Sequence, residues 1–174
     1  MKKISIELKK TSELIQSEIE AVNNLKNQHW EHEMEEHMKW WNRNIKADDR
    51  HLLIWGGGYI LAYLDLADVD VKINGQQHRM YGVGNVCVSK DHLGYGLGSL
   101  LMQSANFFLK EDEMSGILMC RESARRFYQR NGWAGMRPVK LAVCGTSKEC
   151  SVFFRNPPFP AEVKVDEIDI DRNF

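Results

Sequence analysis

VCVSKDHLGYGLGS, Val86 to Ser99, sets an alternating apolar run against a loop that holds Gly94, Gly96 and Gly98. The run reads as a strand. After the loop, LGSLLMQSANFFLK (Leu97 to Lys110) repeats its apolar residues at helical spacing. Glycines at a strand-to-helix junction let backbone N–H groups approach a ligand closely. The helix start adds about half a positive charge. Together they suit a phosphate or pyrophosphate. No Lys-Ser or Lys-Thr follows the last glycine, so the nucleoside-triphosphate loop pattern fails. The spacing is G-x-G-x-G rather than the dinucleotide G-x-G-x-x-G, and the loop lies past the chain's midpoint. From the loop alone, an ordinary turn with three glycines stays open.

The next segments narrow the choice. GILMC (Gly116 to Cys120) reads as a short buried strand, and RESARRFYQRNGW (Arg121 to Trp133) as a helix ending at Asn131-Gly132 before an aromatic. In this order the two regions resemble the GNAT superfamily of N-acetyltransferases. Leu93-Gly94-Tyr95-Gly96-Leu97-Gly98 matches its Q/R-x-x-G-x-G/A acyl-CoA loop. Ala124, Phe127, Tyr128, Gly132 and Trp133 match its A-x-x-L-Y-x-x-x-G-F segment. The resemblance extends from Leu52 to Phe154. A narrower one is to the aminoglycoside 2′-N-acetyltransferase branch: an HLLxW-type strand (His51 to Trp55), a long third strand with a polar hairpin, and an ARRxY…GW segment. Three positions depart. Leu93 stands where Arg or Gln is usual, and its side chain cannot donate to phosphate. Arg121 stands where an Asn often lies. Gly84 stands where the aminoglycoside branch carries a Glu.

The resemblance implies an α/β (α+β) fold. A mixed, mostly antiparallel sheet of six to seven strands would be flanked by helices and splayed between its fourth and fifth strands. Residues 1–174 would form one domain, with 156–174 an acidic C-terminal extension. It also implies acetyl-CoA as cosubstrate and no metal. Main-chain groups of Val86, Cys87 and Val88 would hold pantetheine in the manner of an added strand. Leu93, Gly94, Tyr95, Gly96, Leu97, Gly98 and Ser99 would hold the pyrophosphate. Tyr128 matches the tyrosine that sits near the CoA sulfur as general acid. A phenol of pKa about 10 can donate to a thiolate whose acid has pKa about 8.5. The loop between the first two helices often lines the acceptor pocket, which places His29, Trp30 and Glu31 there. Asn85, beside the CoA strand, could hydrogen-bond a water. The base is not identified; His78 and Glu122 are candidates by proximity in sequence, and a water chain would also serve.

The acceptor implied is a primary amine of a small molecule, an aminoglycoside or other aminosugar. Alternatives are peptide N-termini, longer acyl donors, or a non-catalytic acyl-CoA-binding module. A structural glycine-rich domain is a third reading. Homodimerisation is a family expectation.

A chain of 174 residues fits one domain. Its 43% hydrophobic and 27% charged content is that of a soluble globular protein. A net charge of −1 gives no basic field for nucleic acid or an anionic membrane surface. No apolar run approaches a membrane span. MKKISIELKK lacks an apolar secretory core and reads, through Ile4, Ile6 and Leu8, as a first strand. Cys87, Cys120, Cys144 and Cys150 show no C-x-x-C spacing and read as free thiols of a cytoplasmic protein. A nucleophilic Cys87 is a weaker reading. The His29, His32 and His37 group, interleaved with Glu31, Glu33 and Glu36, lacks H-E-x-x-H spacing and does not support a metal site.

Thr11 or Ser12 is expected to cap a first helix, with Ile15, Ile19, Val22 and Leu25 inward and Gln16, Glu18 and Glu20 outward. A second helix carries Met34, Met38, Trp41 and Ile45 on one stripe. Tyr59 to Ile73 reads as a long strand with room for a bulge, and Asn74-Gly75 as a hairpin turn. Asp65, Asp68 and Asp70 either suit a cationic acceptor or face solvent. Val139 to Gly145 and Cys150 to Arg155 read as two paired antiparallel strands. In the tail, alternation of Val163, Val165, Ile168 and Ile170 competes with a flexible acidic reading.

Overall fold

The structure, a computed structural model, describes residues 4–138 and 140–174. In chain order it contains β1 (Ile4–Lys10), α1 (Gln16–Asn27), α2 (Met34–Asn44), β2 (Arg50–Gly56), β3 (Tyr59–Ile73), β4 (Gln76–Val88) and α3 (Leu97–Glu111). There follow β5 (Gly116–Cys120), α4 (Arg125–Arg130), β6 (Ala134–Met136), β7 (Lys140–Val143), β8 (Thr146–Ser147), β9 (Ser151–Arg155) and β10 (Glu167–Ile170). The strands make a mixed, largely antiparallel sheet flanked by helices, the class expected. Among the described residues it has ten strands rather than six or seven. The short β6, β8 and β10 account for the excess.

The chain divides into two compact units. The first takes in the chain up to Ala67, Gly84–Ala105 and Phe174. In it β1 pairs antiparallel with β2 from Ile4↔Gly56 to Lys10↔Arg50, and β2 pairs with the first part of β3. Ile54 opposes Ala62 while Trp55 opposes Ile60, so Leu61 is the extra residue of the bulge expected in this strand. A Cβ on Gly56 would lie 2.5 Å from Leu61 Cδ1, so the bulged side chain uses the space that glycine leaves. Val22, Leu25, Trp41, Leu53, Ile60, Tyr63 and Cys87 form a buried cluster, against which Leu14, Ile19, Ile45 and Trp55 pack. Each fully buried large side chain stabilises by roughly 1.5–3 kcal/mol.

The helix cap differs from expectation. Thr11 and Ser12 lie in a 3-10 turn (Thr11–Glu13), and α1 begins after Ile15, whose N–H donates to Glu18 Oε2 at 3.1 Å. Thr11 is drawn off by the second strand: its N–H donates to Asp49 O at 2.9 Å and its hydroxyl lies 2.8 Å from His51 Nε2. Glu18 is not outward; Lys9 Nζ donates to it at 2.5 Å.

The second unit comprises Asp68–Val83 and Asn106–Asn173. Asn74 (φ 48) and Gly75 (φ 83) are both left-handed, the geometry of the Asn-Gly hairpin expected between β3 and β4. Strand order is β6-β9-β5-β4-β3-β10-β7-β8. The expected pairing of 139–145 with 150–155 is not found, and Val139 itself lies outside the described residues. β7 pairs with β10 and β8, whereas β9 sits between β5 and β6. Val152, Phe153 and Phe154 are consecutive and all buried, so β9 needs cover on both faces, which an interior position gives. The tail is ordered. β10 pairs antiparallel with β3 and parallel with β7, burying Ile168 and Ile170. Asn74 secures it: Oδ1 accepts from the N–H of Asp166 and Glu167, and Nδ2 donates to Lys164 O at 2.8 Å.

The β4–β5 ladder is parallel and short, Tyr81↔Gly116 and Gly82↔Ile117. All five β5 residues pair with β9 on the other side.

Candidate functional site

The glycine loop belongs to the first unit. As β4 ends, Ser89 N–H donates to the O of the bulge residue Leu61 at 2.8 Å. A 3-10 turn (Lys90–His92) follows, and then Gly94 (φ 84) and Gly96 (φ 80) take left-handed conformations. Nothing lies within 4 Å of a Cβ built on either. Glycine is therefore required there by φ and not by crowding. Leu100 N–H closes the first helical bond onto Gly96 O at 3.0 Å, and the preceding amides head α3. Leu97 is buried and anchors the helix, Gly98 is half-buried and Ser99 is exposed. Leu93 and Tyr95 are 56% and 78% exposed, so neither side chain is committed to packing. Loop amides and the head of a 15-residue helix are what a diphosphate requires.

The adjoining part of β4 holds Val86, Cys87 and Val88, the residues expected to meet pantetheine. Val86 and Val88 are half-buried, and Cys87 is buried. Burial pushes the Cys87 thiol up to about 12, so it stays protonated and is no nucleophile. His29 reaches this strand: its Nε2 lies 2.7 Å from Val88 O. A carbonyl only accepts, so Nε2 carries the proton and one Val88 lone pair is already used. Gln28 Oε1 accepts from Lys90 N–H at 2.8 Å, tying the α1–α2 connection to the loop. Trp30, at 36% exposure, offers its carbonyl to His37 Nε2 at 3.0 Å, and Glu31 is exposed. Among the described residues, no group of three His, Cys, Asp or Glu is placed to hold a metal.

Asn85 interrupts β4 with a left-handed φ of 51. Its Nδ2 donates to Asp65 Oδ1 at 3.0 Å. Asp65 is fully buried, and its Oδ2 has no hydrogen-bond partner. Burial raises its carboxyl to about 6, against a lowering by the Asn85 bond and by Lys26. Sequence reasoning left this group open between a cationic acceptor and solvent and did not see its burial. The signal was present: in β3, Tyr63, Asp65, Ala67, Val69, Val71 and Ile73 share one face, and every one of them is buried. Lys26 was missed similarly, four residues after Val22 on the inward stripe of α1. Its ammonium lies 4.1 Å from the Trp40 ring centroid, and burial lowers its pKa.

Tyr128 lies on α4 in the second unit. It is 8% exposed, with ring centroids 5.1 Å from Phe127 and 5.9 Å from Phe153. The helix is shorter than expected, because Glu122–Ala124 form a 3-10 turn before it. Glu122 is a poor base: Arg137 and Arg125 both bind its carboxylate and hold it below the usual carboxylate range. His78 is half-buried on β4, close after the hairpin turn.

Residues 10–136 match the family model of the acetyltransferase (GNAT) domain, and the chain belongs to that family. No curated protein matches the sequence. Among solved structures it is similar to an acyl-CoA N-acyltransferase from Pseudomonas aeruginosa, at 22% identity over 88% of this chain and 99% of that one, TM-score 0.66. Escherichia coli ElaA is similar at 19% identity over 88% and 100%, TM-score 0.66. The E. coli GNAT family N-acetyltransferase YhbS, crystallised in complex with CoA, is similar at 15% identity over 97% and 88%, TM-score 0.63.

Proposed function

We propose that this chain transfers an acetyl group from acetyl-CoA to a primary amine of a small molecule, with an aminoglycoside or other aminosugar as the acceptor class. The observation that carries the reading is the loop with left-handed Gly94 and Gly96 leading into α3, within a chain of the GNAT family. The CoA bound by the similar YhbS supports an acyl-CoA donor. Pyrophosphate is held by the amides of residues 93–99, with Leu93 adding no side-chain donor. The pantetheine arm runs along the main chain of Val86 to Val88. His29, Trp30, Glu31 and Asn85 face the acceptor. Four free thiols suit a reducing, cytoplasmic setting.

The amine nitrogen attacks the thioester carbonyl carbon, the C–S bond breaks as the amide forms, and Tyr128 gives the departing thiolate its proton. Tyr128 recovers a proton from the nitrogen. Calorimetry with acetyl-CoA and a thiol-release assay over kanamycin, spermidine and a peptide with a free N-terminus test the reading. Binding with thiol release on kanamycin is expected, and Tyr128→Phe should lower kcat roughly 10²-fold or more. Absence of acetyl-CoA binding at millimolar ligand sinks it. Binding without turnover on any amine favours a non-catalytic acyl-CoA module.

A further inference from the structure

We propose that the Asp65 carboxylate accepts the amine's proton, reached over the face of β4 that Gly84 leaves without a side chain. The assignment rests on the acetyltransferase reading and adds the base that the sequence does not identify. A Cβ on Gly84 would lie 2.9 Å from Asp65 Oδ1, so any side chain at 84 would cover the carboxylate. The covering group is instead main chain: Phe174 C and O lie 2.4 Å and 3.0 Å from that same point. Amine entry requires that this main chain move aside.

Asp65 is incompletely satisfied, with Oδ1 toward the Gly84 face. Asn85, held at φ 51, fixes Oδ1 and leaves Oδ2 unpaired. A buried carboxylate oxygen without a partner is destabilising, and a proton or ammonium donor removes that penalty. Several groups bear on the carboxyl. They are Lys26 from α1, Asp49 ahead of β2, Tyr63 on its own strand, Asn85 and Cys87 from β4, and the Phe174 main chain. With a carboxyl near 6, Asp65 is mostly ionised at pH 7 and able to take a proton. The substrate ammonium gives one proton to Asp65, the freed amine attacks, and the second nitrogen proton goes to the departing thiolate as the C–S bond breaks. Asp65 then returns its proton to solvent.

The test is the pH profile of kcat/KM with acetyl-CoA and kanamycin, spermidine or the peptide, whichever the native protein acetylates. The native protein should show an acid limb near pH 6. Asp65→Asn should lose that limb and at least 10²-fold in kcat/KM, with acetyl-CoA affinity by calorimetry unchanged as evidence of folding. Asn85→Gly keeps the left-handed backbone but removes the donor to Asp65, so its acid limb should move to higher pH. An Asp65→Asn protein with native rates and an unmoved limb overturns the assignment while leaving the acetyltransferase reading intact. Native protein inert toward every amine overturns both.

Discussion

Gly96 holds φ at +80, a conformation that costs an L-residue with a Cβ about 1–2 kcal/mol. Because nothing crowds its missing Cβ, Gly96→Ala changes backbone preference without creating a clash. The strain is relieved if the loop amides turn away from the position that serves a diphosphate. Acetyl-CoA affinity by calorimetry should therefore fall up to roughly tenfold, since 1.4 kcal/mol is a factor of ten. Native affinity in the variant would show that this amide does not hold the ligand. Gly84 is glycine for a different reason, the close approach of Phe174 main chain and Asp65. The sequence displays both as glycines; only neighbours in space separate a conformational requirement from a steric one.

Within the second unit, α3 is joined to the turn after α4 by one buried amide. Asn106 Oδ1 accepts from Trp133 Nε1 at 2.9 Å, and its Nδ2 donates to Asn131 O at 2.9 Å. Asn106→Leu keeps the volume but removes the acceptor of the buried Trp133 N–H and one donor to Asn131 O. It should cost about 2–4 kcal/mol, read as a lower urea midpoint with an unchanged slope. A loss under about 0.5 kcal/mol would mean that water replaces the amide. Element existence was legible here: α3, β5 and the close of α4 at Asn131-Gly132 follow from periodicity and a glycine at φ 83. Pairing was less so. β7 and β9 look alike in sequence, as short apolar runs, and their partners depend on which neighbours bury Phe153 and Ile168.

Across the whole molecule, two buried groups of the first unit oppose each other in acid. His51 bonds Tyr63 Oη at 2.7 Å through Nδ1 and stacks on Trp41, and burial lowers it to about 4 from an ordinary 6.5. The unfolded chain takes this proton first, so the His51 contribution falls as pH drops from 6.5 to 4. Asp65 runs the other way. Its folded pKa of about 6 exceeds the ordinary 3.8, so its contribution is full below 3.8 and is lost as pH rises through 6. Each effect is on the order of 3 kcal/mol. Between pH 4 and 6 they nearly cancel. Asp65→Asn should uncover the His51 slope, with stability in urea falling steadily from pH 6.5 to 4. Parallel curves for the variant and the native protein would show that Asp65 is not raised.

By itself the sequence determined the class of fold, the glycine loop with its helix, and the Asn-Gly hairpin. Each of these is written locally, in a repeat period, a left-handed turn residue or a motif of fixed spacing. The tertiary structure alone decided that Asp65 is sealed beside Gly84 and that His29 meets Val88. It also decided that the tail joins the sheet rather than trailing from it. Those facts depend on residues far apart in the chain coming together, where burial changes what a carboxylate or an imidazole can do. No local pattern records that environment.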